Sequence, residues 1–495
     1  MSEPTVGIRQ AAATGVFWTA SSQGLRQVIT IAIMAVLARY VAPADFGLIA
    51  MAAVALGATA PLNELGLGAA LIQKREIDSS HAGTVFWTQV LAALVMAGLL
   101  TAGAPLVAAF FGREDLTTLL RVMCWSLPLG AACAAPQALL MRAMKFGHLA
   151  MVETICMAAA GLTAAALAMA GFGVWSLVAQ TLTGSALTAA IVIPLSGLRP
   201  LSSGARPRVA RIRELSGFSA PLTGYQILNF ASRNLDDILI GRYLGATALG
   251  YYAMAYRVMM YPLQKVSGVV GRVAFPAFSS LQEDLPRMRR SYLMSVQFIA
   301  LITFPMMAAV MVVAPEMTNV LFGPGWGPVA PLVIVLALAG MAGSIGTTVG
   351  SLFLARGRSD LMLRWEIAAS ACYLTAIGVG LRWGLMGVAI SYTATALILW
   401  PVSHLIANRL IELPVRQLFA ALAGPAGLAL VVAAALLGVR LIWGDAAAGA
   451  PAEFLVSCAV VGALLYGLAA LARVPRAFGE MLGLARETMA GIHHA

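Results

Sequence analysis

Arg257, Tyr261 and Lys265 stand four residues apart, and Arg272 follows seven later. That spacing puts all four on one face of a helix. The apolar run before it carries Gln226, Asn229, Arg233, Asp236 and Asp237 on one face, and the first run of the chain carries Gln23, Arg26 and Gln27. A charge at bilayer depth costs a few kcal/mol unless it meets a partner, water or a ligand. Guanidinium groups grip phosphate oxygens through paired, charge-assisted hydrogen bonds. A track of Arg26, Arg233, Arg257, Lys265 and Arg272, with Gln23 and Asn229 as neutral partners, therefore suits a large phosphate-bearing anion. Arg233 lies nine residues before Arg242, and Arg257 ten after Thr247. At about 1.5 Å of rise per residue, both sit about 14 Å below the same membrane surface.

Blander roles compete at several positions. Arg233 can pair with Asp236 or Asp237, three and four residues on along its own helix. Arg272, near the end of its run, can snorkel to the interface. Glu64, Asp236 and Asp237 can carry a coupling proton or sodium ion, or can simply neutralise buried bases. Glu153 and Glu366, near the ends of their runs, read as structural. No cofactor is expected. The three lysines, Lys74, Lys145 and Lys265, do not follow a glycine, so no nucleotide-binding P-loop of the Gly-Lys-Ser/Thr type exists. The five histidines have no metal-ligand spacing with Cys, Asp or Glu, so no metal site is expected. The five cysteines (Cys124, Cys133, Cys156, Cys372, Cys458) fall in apolar runs without CxxC spacing and read as small buried hydrophobes.

The elements that position these residues are membrane spans. The 495 residues are 60% hydrophobic and 11% charged, against about 25% charged in soluble domains; the excess apolar surface must face lipid. Apolar runs predict helices near 14–39, 45–71, 82–110, 116–142, 149–170, 173–195, 215–242, 248–276, 288–314, 327–355, 360–381, 384–408, 416–439 and 453–472. The fold class is thus an all-α integral membrane protein of about fourteen transmembrane helices. The short connections Ala170–Gly173 and Leu381–Gly384 force antiparallel neighbours. Glu114-Asp115 reads as a cap on the fourth helix, and Phe322–Trp326 as a tight turn. The net charge of +11 does not indicate nucleic acid, because the bases sit in short loops between apolar runs. Those loops alternate. One set, including both termini, is rich in Lys and Arg, and the other holds Arg39, Arg113, Arg121, Arg242, Arg382 and Arg440. Both termini are therefore expected in the cytoplasm.

The chain also repeats itself. At an offset of 203, Gln23 matches Gln226, Arg39-Tyr40 matches Arg242-Tyr243, and Gly47 matches Gly250. At an offset of 213, Leu139, Lys145 and Glu153 match Leu352, Arg358 and Glu366. A duplicated six-helix unit gives parallel lobes, an architecture in which carriers bind between the halves. The expected organisation is an N-terminal lobe (1–198), a cytoplasmic linker (199–214), a C-terminal lobe (215–410), an additional helix pair (411–472) and a cytoplasmic tail (473–495). The linker arginines suit anionic membrane lipids, and the tail has the spacing of an interfacial helix.

Several local runs, in order, resemble one family. Gly15, Trp18 and Gln23 lead to Arg39 and Pro43-Ala44-Asp45-Phe46-Gly47. Then come Glu64-Leu65-Gly66-Leu67, His81 with Thr84-Val85-Phe86-Trp87, and Gly173-Val174-Trp175-Ser176-Leu177. Arg233 and Asp237, Leu249-Gly250-Tyr251-Tyr252, and Phe275-Pro276 with Leu281-Gln282 complete the series. Over roughly 10–410 the chain is similar to Wzx-type oligosaccharide flippases of the polysaccharide transporter family, in the colanic-acid-exporter-like branch of the multidrug/oligosaccharidyl-lipid/polysaccharide exporter superfamily. The resemblance implies two lobes around a cationic cavity that opens alternately to each side of the cell inner membrane. It also implies an undecaprenyl-diphosphate-linked oligosaccharide as cargo, no ATP, and a polymerase or export machinery as partner in making surface polysaccharide. The bases would hold the diphosphate, and polar and aromatic groups the sugar. A peptidoglycan-precursor flippase and a drug/cation antiporter of the same superfamily are the alternatives. An antiporter for cations calls for an acidic cavity, whereas here the five bases above face Asp236 and Asp237. A membrane glycosyltransferase or polymerase calls for a sizeable outward loop with catalytic groups; the longest, Arg440–Glu453, has Asp445 as its internal charge, so no enzymatic activity is expected.

Overall fold

The computed structural model describes residues 26–59, 67–68, 71, 79–198, 230 and 233–468. Gln23, Glu64, Asn229, the linker at 199–214 and the tail at 473–495 lie outside the described residues. Those described form helices joined by turns, without strands. In chain order the helices are α1 (26–40), α2 (Pro43–Gly57), α3 (Ser79–Phe111), α4 (Asp115–Met123), α5 (Ser126–Arg142), α6 (Phe146–Met169) and α7 (Val174–Leu195). There follow α8 (Leu235–Ser280), α9 (Leu285–Phe322), α10 (Val329–Ala355), α11 (Ser359–Gly380), α12 (Gly384–Leu410), α13 (Val415–Trp443) and α14 (Pro451–Leu468). Each of the fourteen expected spans contains helix among the described residues, with α4 and α5 sharing one span.

Nine described segments are long and apolar enough to cross a membrane, one of them holding both α11 and α12. The chain is thus a multi-pass membrane protein. Helix α8 is not among the nine. It carries the charged stripe, and it contains a break at Gly245 (φ 84°, ψ 178°), which joins the expected seventh and eighth helices.

Two compact units emerge, Met1–Gly250 and Tyr251–Ala495. In the first, α6 packs on α7 and α3 on α5. In the second, α9 packs on both α13 and α10, around a core that includes Phe278, Tyr292, Ile299, Ile345 and Phe353. Lipid tails are as apolar as these side chains, so close packing and interhelical hydrogen bonds hold the bundle together, rather than exclusion of water. Buried hydroxyls show the second kind of contact. Ser267 of α8 donates to the Ser344 carbonyl of α10 (2.9 Å), and the Ser344 hydroxyl meets Thr303 of α9 (2.9 Å).

The repeat reaches down to single hydrogen bonds. Between α5 and α6 the amides of Ala143, Met144 and Lys145 donate to the carbonyls of Leu139, Met141 and Leu140. Between α10 and α11 the amides of Arg356, Gly357 and Arg358 donate to Leu352, Leu354 and Phe353, all 213 positions on. The central residue of each turn is left-handed, Met144 at φ 56° and Gly357 at φ 67°.

At the start of α2 the duplicated residues touch each other. A Cβ on Gly47 would run into the carbonyl of Ala246, and one on Gly250 into the carbonyl of Pro43. Pro43 and Ala246 are also equivalent at the offset of 203, so the contact is reciprocal, as across a two-fold axis. Glycine at both positions lets two helix starts meet backbone to backbone within the first unit.

Two local readings are corrected, and the expected tight turn at Phe322–Trp326 is present. Neither Glu114 nor Asp115 caps α4 through its side chain; Asp115 instead accepts from Arg113 at 2.9 Å. Cys372 is exposed, while the other four cysteines are buried. The Phe322–Trp326 turn is a short 3-10 helix, Pro324–Trp326, entered through left-handed Gly323 (φ 92°).

The reciprocal contact sets a stability expectation. Gly47→Ala or Gly250→Ala forces backbone against backbone and should cost about 1–3 kcal/mol each. Gly427→Ala, on α13 with open space around it, should be neutral or stabilising, since alanine favours a helix by about 1 kcal/mol over glycine. Thermal unfolding of the three purified variants in one detergent makes the comparison.

Candidate functional site

Beyond Gly245, α8 runs to Ser280 and fixes the register of its charges. Tyr252, Met259, Ser267, Val270 and Phe278 are buried, and they anchor one side of the helix. The four-residue steps from Arg257 through Tyr261 to Lys265 turn these three away from that side, about 6 Å apart along the axis. Arg257 and Lys265 are exposed and Tyr261 is half-buried. Both cations also interact with other groups of the protein. Arg272 occupies the next position of the same register. An exposed cation within a spanning helix needs water or a polar partner, because lipid supplies neither. This side of α8 is therefore polar ground.

The first unit holds the other candidates. Arg26 on α1 forms an ion pair with Glu153 of α6, 127 positions away. Its side chain is 18% exposed and that of Glu153 is 50% exposed. No acid stands near Arg26 in the sequence; the fold supplies one. Arg233 is exposed, Asp236 is buried and Asp237 half-buried. The Asp236 carboxylate accepts from the Asp237 amide at 3.0 Å. Arg26, Arg233, Asp236 and Asp237 thus belong to the unit Met1–Gly250, and Arg257, Lys265 and Arg272 to the unit Tyr251–Ala495.

Several polar groups escaped the sequence reading. Arg440, counted there as a loop residue, reaches back from the end of α13 to α9. It donates to Glu316 at 2.8 Å and to the Val312 carbonyl at 3.0 Å. Glu316 is nearly buried, its side chain 8% exposed against 38% for Arg440. The two are 124 residues apart, and no local spacing signals such a pair. Arg289 of α9 similarly holds Glu412, at 2.8 Å, beyond the end of α12. Four tyrosines form a row across α8, α12 and α11. Tyr252 stacks on Tyr256 (5.8 Å between centroids), Tyr256 meets Tyr392 edge-on (6.1 Å), and Tyr392 lies 5.0 Å from Tyr373. The four-residue step from Tyr252 to Tyr256 was the visible signal for half of that row.

Comparison with known proteins adds an independent line. A family model described as "polysaccharide biosynthesis protein" matches residues 36–331, more than half of the chain. The lipopolysaccharide biosynthesis protein WzxC of Escherichia coli (strain K12) is 25% identical over 79% of this chain and 80% of its own length. The teichuronic acid biosynthesis protein TuaB of Bacillus subtilis (strain 168) is 25% identical over 85% and 86%. The succinoglycan biosynthesis transport protein ExoT of Rhizobium meliloti (strain 1021) is 34% identical over 61% of each chain. Among solved structures, the lipid II flippase MurJ in an inward closed conformation superposes with a TM-score of 0.71 at 14% identity, covering 91% of this chain and 97% of its own. An inward-facing multidrug MATE transporter gives 0.63 at 15% identity, over 78% and 94%. These last two establish the fold.

The buried pair between α9 and α13 makes a testable case. Removing one member of a buried ion pair strands the other and typically costs about 3–5 kcal/mol; the partial exposure of Arg440 reduces that, so Arg440→Ala should cost about 2 kcal/mol. Adding Glu316→Gln should restore part of the loss. Chemical or thermal unfolding of the single and double variants in detergent reads the non-additivity.

Proposed function

The chain belongs to the polysaccharide biosynthesis protein family, and on that premise we propose that it flips a lipid-linked oligosaccharide across the inner membrane, from the cytoplasmic to the periplasmic leaflet. The proposed cargo is a glycan on undecaprenyl diphosphate, destined for exopolysaccharide, O-antigen or capsule. The carrier works by alternating access and is not an enzyme. A polymerase or export machinery would take over the delivered units.

One observation carries this reading: Arg257 and Lys265 are exposed on one side of a helix that is not among the nine apolar spans. Cations held on wet ground inside a membrane protein suit an anion, and a diphosphate offers the oxygens that guanidinium and ammonium groups bind. The half-buried members of the tyrosine row, Tyr256, Tyr373 and Tyr392, support the glycan part, since sugar rings present C–H faces to aromatic rings and hydroxyls to phenolic oxygens. A drug/cation antiporter would need carboxylates on that same stripe, and Arg257, Lys265 and Arg272 carry the opposite sign. The family match also favours polysaccharide precursors over peptidoglycan precursors. In the proposed orientation both termini face the cytoplasm, a reading that the distribution of the loop arginines supports. The α10–α11 connection and the end of α12 then lie at the cytoplasmic side.

Complementation tests the reading. In a strain lacking its own exporter, the wild-type chain with its cognate biosynthetic genes should restore surface polysaccharide. Arg257→Ala combined with Lys265→Ala should reduce export at least about ten-fold, the loss of roughly one charge-assisted contact, at unchanged protein level in the membrane. Wild-type export from the double variant would refute the cationic site.

A further inference from the structure

Helix α14 is pinned to its neighbours at the end near Pro451. Phe454 is fully buried there, its ring 6.0 Å edge-on from that of Trp443 on α13, and Cys458 is buried one turn further on. Val461 and Leu465 keep contact with the core that holds Val312, Val432 and Leu436. The flank beside them carries Ala459, Gly462 and Ala463 instead. Small residues at a helix crossing normally let two backbones close up. Here they do not: a Cβ built on Gly462 meets nothing within 4 Å. The space left is an apolar groove of about 390 Å³ between α9, α13 and α14, within the roughly 300–1,000 Å³ of ligand sites.

Dimensions and lining restrict the occupant. On α9 the wall runs from Ile302 to Val313, eleven residues or about 16 Å. Ile302 stands at the middle of α9, and Val313 lies towards its Phe322 end. The groove is thus as long as one leaflet of hydrocarbon, about 15 Å or half of the core thickness, and it lies in the half of α9 on the Arg440 side. None of its lining side chains is charged, and Tyr466 brings the one hydroxyl. Water needs several polar partners to stay in such a place, whereas a hydrocarbon chain gains dispersion contacts along both walls. The neighbouring Val456, Val460 and Leu464 of α14 are exposed and apolar, as lipid-facing side chains are. An aliphatic lining does not discriminate among aliphatic chains, so mass action fills it with the most abundant, which in a bilayer is phospholipid. One turn beyond Leu436, the Arg440 side chain is 38% exposed. It spends two N–H groups on Val312 and Glu316, and a guanidinium has five.

We propose that this groove is a phospholipid site: one acyl chain from the leaflet on the Arg440 side lies between α9 and α14, with its phosphate at the remaining N–H groups of Arg440. The bound lipid completes the packing that the small flank of α14 leaves open, and it holds that helix to the core of the second unit. The site shares no residue with the cationic stripe on α8 and does not rest on the transport reading.

Photolabelling tests it, with the full-length protein in vesicles of phosphatidylethanolamine. A trace of the same lipid carries a diazirine midway along one acyl chain. Adducts are expected on Met306 and on the α14 segment 459–466, above the level found on other lipid-facing helices such as α3. Gly462→Leu puts a side chain into the groove and should lower those adducts at least about ten-fold. Gly427→Leu adds the same bulk at an exposed position of α13 outside the groove and should leave them unchanged. If Gly462→Leu does not accumulate, Ala463→Phe, at an exposed position of the same lining, takes its place. Uniform labelling of all lipid-facing helices, or adducts that survive the filled groove, overturns the site. Unlabelled undecaprenol should compete no better than unlabelled phosphatidylethanolamine at the same mole fraction. Stronger competition assigns the groove to a polyprenyl chain and overturns the phospholipid reading. A diacylglycerol with the same labelled chain lacks the phosphate and should give fewer groove adducts; equal labelling overturns the contact with Arg440.

Discussion

A charge or an unpaired polar atom within a bilayer must be wet, paired or bound, because hydrocarbon offers it nothing. That constraint organises this protein more than any core contact does. It draws Arg440 back from the end of α13 to meet Glu316 on α9, and it joins Arg26 of α1 to Glu153 of α6. It sends the Ser267 hydroxyl across to the Ser344 carbonyl of α10. Exposure at such depth is informative as well. Arg257 and Lys265 stay exposed on α8, and a helix that keeps cations exposed at membrane depth borders on water. The proposed function grows from that exposure.

Duplication explains how such a site is positioned. The α5–α6 and α10–α11 turns repeat their amide–carbonyl pairs 213 positions apart, left-handed residue included. In each copy that turn sets where the next helix begins. At the other end, Gly47 and Gly250 meet each other's helix starts reciprocally. A backbone-to-backbone contact without side chains is short-ranged and all-or-none: it is made fully or lost altogether.

Legibility in the sequence followed the range of the interactions. Spans were readable because about twenty apolar residues announce themselves locally, and every expected span contains helix. The repeat was readable because Arg39-Tyr40 and Arg242-Tyr243 keep their register, and the stripe on α8 because a four-residue step is a helical neighbour. Pairing was not readable. Nothing near Arg26 points to Glu153, and nothing near Arg440 points to Glu316, since each bond closes over more than a hundred residues. Glu114-Asp115 looked like a helix cap from composition alone, but Arg113 next door offered Asp115 a stronger partner.

The central claim is that the exposed cations of α8 recognise the phosphate of a lipid-linked cargo. Equilibrium binding by native mass spectrometry or tryptophan fluorescence, with the full-length protein in detergent, addresses it most directly. Undecaprenyl diphosphate and undecaprenol differ in the anion alone. The wild type should prefer the diphosphate by at least about ten-fold, equivalent to about 1.4 kcal/mol, and Arg257→Ala with Lys265→Ala should erase that preference while leaving undecaprenol binding unchanged. Equal affinity of the wild type for the two lipids, or an undiminished preference in the double variant, would contradict the account.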